Sequence, residues 1–110
     1  MPPSHPTSNE DWIVEVGGDI VETRAKVGAD DLSSRETLIY WLWWVDYMMR
    51  NAGDFANAVD LEKDFQQEIL LLAKELGLSY TVETFSLNRD ELQSEYFDRF
   101  ELVCDEIKGA

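Results

Sequence analysis

Residues 90–106 read DELQSEYFDRFELVCDE, and seven of these positions are carboxylates: Asp90, Glu91, Glu95, Asp98, Glu101, Asp105 and Glu106. Wound into an α-helix at 1.5 Å per residue, the stretch spans about 24 Å, or one negative charge per about 3.4 Å. A DNA strand carries one phosphate per about 3.4 Å of axis, so the linear charge density is comparable. Leu92, Tyr96, Phe97, Phe100, Val103, Cys104 and Ile107 fall in one opposing arc of about 140° at 100° per residue. Leu102 lies outside that arc. Only Arg89, Arg99 and Lys108 offset the acids on this helix. The chemistry such a face supports is electrostatic: pairing with lysine and arginine on another protein. Asp90, Glu91, Glu95, Asp98, Glu101 and Asp105 are therefore the candidate protein-binding residues, with a solvated amphipathic helix as the plainer alternative.

Catalytic constellations are harder to find. The single histidine, His5, stands in a stretch rich in proline and small polar residues, so a nucleophile–histidine pair would have to recruit a tail residue. Cys104, the single cysteine, lies on the apolar arc, where a structural thiol is expected rather than a nucleophile. One cysteine and one histidine cannot build a zinc cluster. Gly17-Gly18-Asp19 lacks the further glycines and lysine of a phosphate loop. The acidic runs lack the alternating oxygen ligands and central glycine of a calcium loop. No catalytic, cofactor or metal site is expected, although paired carboxylates leave a small enzyme or enzyme subunit as an alternative. Asp46 and Arg50, four apart, are expected to pair on a helix, either as a partly buried ion pair or as a contact to a ligand or partner.

Charge narrows the partners. The chain of 110 residues carries 23 acidic and 9 basic residues, a formal net charge of −14. Bare nucleic acid and anionic membranes would be repelled, whereas a basic protein would be attracted. Arg24, Lys26, Arg35 and Arg50 are dispersed among acids, unlike the basic patches of a nucleic-acid binder. Hydrophobic residues make up 45%, enough for one domain with its own core. The first residues, MPPSHPTSNED, have neither a basic nor an apolar signal region, and a cytoplasmic location is expected. They read as a flexible tail at 1–9, followed by a single domain at 10–110.

The elements that would position these residues are mainly helical: a small bundle of about four helices around a central apolar one. YWLWWVDYMMR sits at 40–50. Ser33 and Glu36 form a capping-box pattern before it, and Gly53 follows it. Leu38, Leu42, Val45 and Met49 share one side, and Tyr40, Trp44, Tyr47 and Met48 the other. A helix apolar all round is expected to be buried. It is not a membrane span, because Leu38 to Met49 is only 12 residues and Asp46 interrupts it. A second helix is expected from a cap at Asp60 to Gly77, with the stripe Leu61, Phe65, Ile69, Leu72 and Leu76. Leu70 and Leu71 fall off that stripe and suggest a second contact, including a homodimer. GDFANAV before it fits a short turn carrying Phe55 inward. Residues 78–85, LSYTVETF, alternate and fit a short strand or an extended connection. Residues 12–24 fit either a helix kinked or broken at Gly17-Gly18 or a hairpin turning there, and the helix is the better fit. The last helix starts at Asn88.

The run LSSRETLIYWLWWVDYMMRNAGDF, a helix ending LAKELGL, and the acidic YFDRFELVCDEI together resemble a family of small acidic helical proteins. The resemblance covers about residues 31–107. That family shows an Asn-Gly-Gly-Phe signature at the end of a central helix. It includes a bacterial DNA mimic that presents carboxylates to the DNA-binding surface of a repressor. Here the signature reads Asn51-Ala52-Gly53-Asp54-Phe55, with one glycine replaced and one residue inserted. The resemblance implies an all-helical fold without catalytic activity. Together with the acidic face, it leads to the expectation of a non-enzymatic module that covers a basic surface of a partner, the nucleic-acid-binding surface of a DNA-binding protein included. An immunity- or antitoxin-type inhibitor is the nearest alternative.

Overall fold

A computed structural model of the chain describes residues 8–53 and 64–110. Among them are five α-helices, one short 3-10 turn and no strand. In chain order these are α1 (Asn9–Val27), the turn Ala29–Asp31, α2 (Ser34–Ala52), α3 (Phe65–Leu76), α4 (Ser79–Phe85) and α5 (Arg89–Lys108). Helix α2 is the hub, with α1 and α3 packed on it; α4 links α3 to α5, and α5 closes back onto α1 and α2. Ile13, Leu38, Ile39, Leu42, Val45, Phe65, Ile69, Phe85, Leu92 and Ile107 are fully buried at the centre. The small, mainly helical bundle read from the periodicity is the observed architecture, with five α-helices among the described residues.

Helix α2 starts on the expected capping box: Ser33 Oγ accepts from the Glu36 N–H at 3.1 Å, and Glu36 Oε1 accepts from the Ser33 N–H at 3.0 Å. Gly53 ends it in the left-handed region at φ 73°. Burial is not uniform around the helix. Leu38, Leu42, Val45, Met48 and Met49 are buried, but Trp43 and Trp44 are only partly covered and Tyr47 is 51% exposed. The helix is packed by neighbours on several sides, but the expectation of burial all round fails at Trp43, Trp44 and Tyr47. The three rings cover one another instead: Trp43 stacks on Tyr47 at 5.5 Å, and Trp44 meets both edge-on.

Helix α1 resolves the ambiguity at 12–24 in favour of one continuous helix, neither broken at Gly17-Gly18 nor folded into a hairpin. The reason lies across the interface. A Cβ on Gly17 would stand 2.6 Å from Trp43 Cδ1, so glycine is what lets α1 approach the tryptophan. Burial of Trp12, Ile13 and Ile20 offsets the helix-propensity cost of the glycines, about 1 kcal/mol each. The helix also begins earlier than expected. Ser8 caps it, and Asn9, read as the end of a tail, is its first residue and is buried.

The segment at 78–85 is a helix, not a strand or an extended connection. Its β-branched residues lower helix propensity only slightly, and tertiary contacts override the alternation. Thr81 and Thr84 are buried, and the Thr84 hydroxyl donates to the Tyr80 carbonyl at 2.9 Å. No side chain within α4 caps its start; Glu106 of α5 does so from across the bundle. Helix α3 is capped by Asp64, whose carboxylate accepts from the Gln66 and Gln67 N–H groups. His5, Phe55, Asp60, Leu61 and the last two residues of the signature lie outside the described residues.

Candidate functional site

The six candidate residues lie on α5, whose buried face is Leu92, Tyr96, Phe100, Val103, Cys104 and Ile107. Phe97 corrects the sequence reading, because it is 48% exposed at the margin of the arc. Asp90, Glu91, Asp98, Glu101 and Asp105 are exposed, and Glu95 is half-buried. They are not equivalent. Among the described residues, Asp90 and Asp98 make no polar side-chain contact. Glu91 accepts from the Asn88 side-chain amide and Glu95 from Arg99 Nε at 3.0 Å. Glu101 and Asp105 both accept from the Asn9 amide, at 2.9 and 3.1 Å, which ties α5 to the first turn of α1. The seventh carboxylate, Glu106, belongs to the architecture rather than the outer face.

Sequence reasoning missed the acids of α1. Glu10, Asp11, Glu15, Asp19 and Glu22 are all exposed. Asp11, Glu15 and Asp19 follow one another at a spacing of four, which puts them on one side of the helix. That signal was hidden while the segment stood between helix and hairpin. Asn9 joins this helix to Glu101 and Asp105, so the acidic surface extends over two elements.

The cations near this surface are tied into the fold, Arg99 by pairing with Glu95 itself. Arg89 donates to Gln66 Oε1 at 2.9 Å and covers the Phe65 ring. Arg99, besides Glu95, reaches the Thr84 hydroxyl at 3.4 Å and lies over Tyr80. Lys108 donates to Asn9 and sits over Trp12. Arg24 donates to the Tyr40 hydroxyl at 2.8 Å, and Arg35 to the Ile107 carbonyl at 3.2 Å, near the end of α5. With Arg50, six of the eight basic residues among those described are held in contacts within the fold.

Asp46 and Arg50 pair as their spacing suggested, with Arg50 Nε 2.9–3.0 Å from both carboxylate oxygens. Asp46 is 4% exposed, and the buried Tyr96 hydroxyl donates to it at 2.8 Å. The pair therefore anchors α2 to α5. Burial lowers the Arg50 pKa, but Asp46, and then Glu10 and Tyr96, raise it by more. Burial, then Asp46, pushes the Tyr96 phenol well up. Burial also pushes the Cys104 thiol up, and the Asp46 charge adds to this. Such a thiol is a poor nucleophile. Leu70 packs against the core, whereas Leu71 is exposed, so the two do not form one outward pair.

Among the described residues, no group of three or more His, Cys, Asp or Glu side chains is placed to hold a metal ion. No helix among them is long and apolar enough to cross a membrane. Comparison of the chain with protein families, with curated proteins and with solved structures found no match.

Proposed function

We propose that the protein is a non-enzymatic binding module whose acidic surface covers a basic surface of a partner protein, in the manner of a DNA mimic. The observation that carries this reading is the sorting of charge on α5. Its carboxylates Asp90, Glu91, Asp98, Glu101 and Asp105 are exposed, while its cations are held within the fold: Arg99 by Glu95 and the Tyr80 ring, Arg89 by Asp64, Gln66 and the Phe65 ring, and Lys108 by Asn9 and the Trp12 ring. A face of one sign attracts its opposite at long range and pairs with lysine and arginine at contact. The family resemblance points the same way, since it implies carboxylates presented to a DNA-binding surface. The partner class is a basic protein, including one whose basic surface otherwise holds nucleic acid, and the expected location is the cytoplasm.

The test uses the full chain immobilised in an extract at low ionic strength, beside the variant Asp90→Asn/Glu91→Gln/Asp98→Asn. These substitutions leave the Asn9 contacts and the Glu95–Arg99 pair in place. Basic proteins should be captured by the wild type, released by a salt step and lost by the variant. Exposed pairs contribute about 0–1 kcal/mol each, so a single amide substitution should change capture little. Capture indifferent both to salt and to the triple variant would overturn the reading.

A further inference from the structure

A pocket of about 180 Å³ opens between α1 and the end of α2, lined by Val14, Trp43, Asp46, Tyr47, Arg50 and Asn51. Pockets for small-molecule ligands typically run to about 300–1,000 Å³. This one has room for a single amino-acid side chain. Its wall is the stacked Trp43–Tyr47 pair, whose rings lie 15° from parallel, with Val14 opposite on α1. Val14 and Tyr47 are both more than half exposed, so the mouth faces solvent.

The polar groups favour a cation. Arg50 is already held by Asp46 and lies 3.6 Å from Glu10. Its guanidinium also sits 5.1–5.2 Å from the centres of the Phe97 and Phe100 rings. Asp46 and Arg50 offset each other in the wall, and the exposed Glu10 carboxylate beside Arg50 adds a negative charge next to the pocket. Asn51 donates its amide to the Tyr47 carbonyl at 2.8 Å, which leaves its side-chain oxygen as a further acceptor. An aromatic wall, an apolar side and a surplus of acceptors suit a side chain with an apolar stem and a planar cationic head.

We propose that this pocket is the specificity anchor of the acidic surface and takes one arginine side chain of the basic partner, a proposal that rests on the protein-binding reading above. The stem packs against Val14 and Trp43. The guanidinium lies over Tyr47 and meets Glu10 and the Asn51 oxygen at the rim. Trp, Tyr and Arg are the residue types that most often dominate binding energy at protein interfaces, and Trp43, Tyr47 and Arg50 bring all three together on one helix.

The experiment is an NMR titration of the full chain with Nα-acetyl-arginine amide, following the Trp43 indole and Val14 methyl signals. Parallel titrations use the citrulline, norleucine and glutamate analogues. The arginine probe should shift both signals saturably, and citrulline, the same shape without the charge, should bind roughly tenfold more weakly. Glu10→Gln and Tyr47→Ala, each checked by its thermal melt, should weaken the arginine probe. The Asp90→Asn/Glu91→Gln/Asp98→Asn variant should bind the probe as the wild type does. Saturation by the glutamate analogue would make this an anion site on Arg50, and equal binding of norleucine would make it an apolar notch; either result overturns the proposal. So does the absence of a saturable shift. If the probe fails while salt-sensitive capture persists, the pocket assignment falls and the acidic-face reading stands.

Discussion

The Glu106 carboxylate accepts the N–H groups of Tyr80 and Thr81 at 2.9 and 2.7 Å and the Thr81 hydroxyl at 2.7 Å. Burial raises its pKa, but these donors lower it by more, and the net position is below the ordinary glutamate value of 4.5. Because the folded-state pKa is depressed, the contribution to stability is full above the unfolded value and is lost as pH falls through the folded one. Replacing Glu106 with glutamine should therefore cost about 1–2 kcal/mol at neutral pH, the range for loss of a helix N-cap. The gap between the two proteins should narrow below about pH 4 in chemical unfolding curves. A gap that stays constant on acidification would show that the carboxylate's charge is not what caps α4. Tyr96 is the second such residue. Removing its hydroxyl with Tyr96→Phe withdraws one donor from the buried Asp46, and a loss of about 1–3 kcal/mol is expected in the same assay. Cys104, buried beside Phe100 and Ile107, should resist thiol reagents at neutral pH until the protein unfolds; rapid labelling of the folded state would contradict its placement.

At the scale of the elements, α1 and α2 meet closely enough that two adjacent glycines have opposite roles. A methyl on Gly17 would press on the Trp43 ring at 2.6 Å, whereas one on Gly18 would meet only Trp43 Nε1, at 4.0 Å. Gly17→Ala should destabilise by about 1–3 kcal/mol, the range for overpacking. Gly18→Ala should stabilise by up to about 1 kcal/mol through helix propensity. Thermal or denaturant unfolding of the two single variants separates them; equal effects would mean that α1 does not rest on Trp43. The same interface explains which elements the sequence made legible. The α2 boundaries could be read because their signals are local: Ser33, Glu36 and Gly53 sit within the helix and its caps. The buried face of α5 could be read because it repeats with the helical period. Helix α4 could not, because its cap, Glu106, is 26 residues from Tyr80 in the chain. The continuity of α1 could not, because the reason for Gly17 is a tryptophan on another helix. For the candidate site, the acidic residues of α5 were visible as a pattern. Their division into unpartnered Asp90 and Asp98 and the Asn9-bound Glu101 and Asp105 required the approach of α1 to α5.

For the molecule as a whole, a formal charge of −14 on 110 residues sets folding and binding in opposition. Carboxylates along α1 and α5 repel one another in the compact state, and the cations beside them, such as Arg99 at Glu95 and Arg50 at Glu10, relieve only part of that repulsion. Self-repulsion of this kind weakens a folded protein and is screened by salt. Going from about 0.01 M to 0.15 M ionic strength shortens the Debye length from about 30 Å to about 8 Å, less than the length of either helix. The melting temperature should therefore rise over that range. In a domain of this size, each kcal/mol recovered corresponds to about 4–8 °C. The Asp90→Asn/Glu91→Gln/Asp98→Asn variant should melt higher than the wild type at low salt and gain less from added salt, since part of the repulsion is already gone. Partner capture should move the other way in both comparisons, weakening with salt and with the triple substitution. A wild type whose melting temperature is flat or falls with salt would mean that the acids of α1 and α5 do not repel appreciably in the folded state. A variant that loses capture without gaining stability would assign its carboxylates to directional pairing rather than to the field of the whole surface.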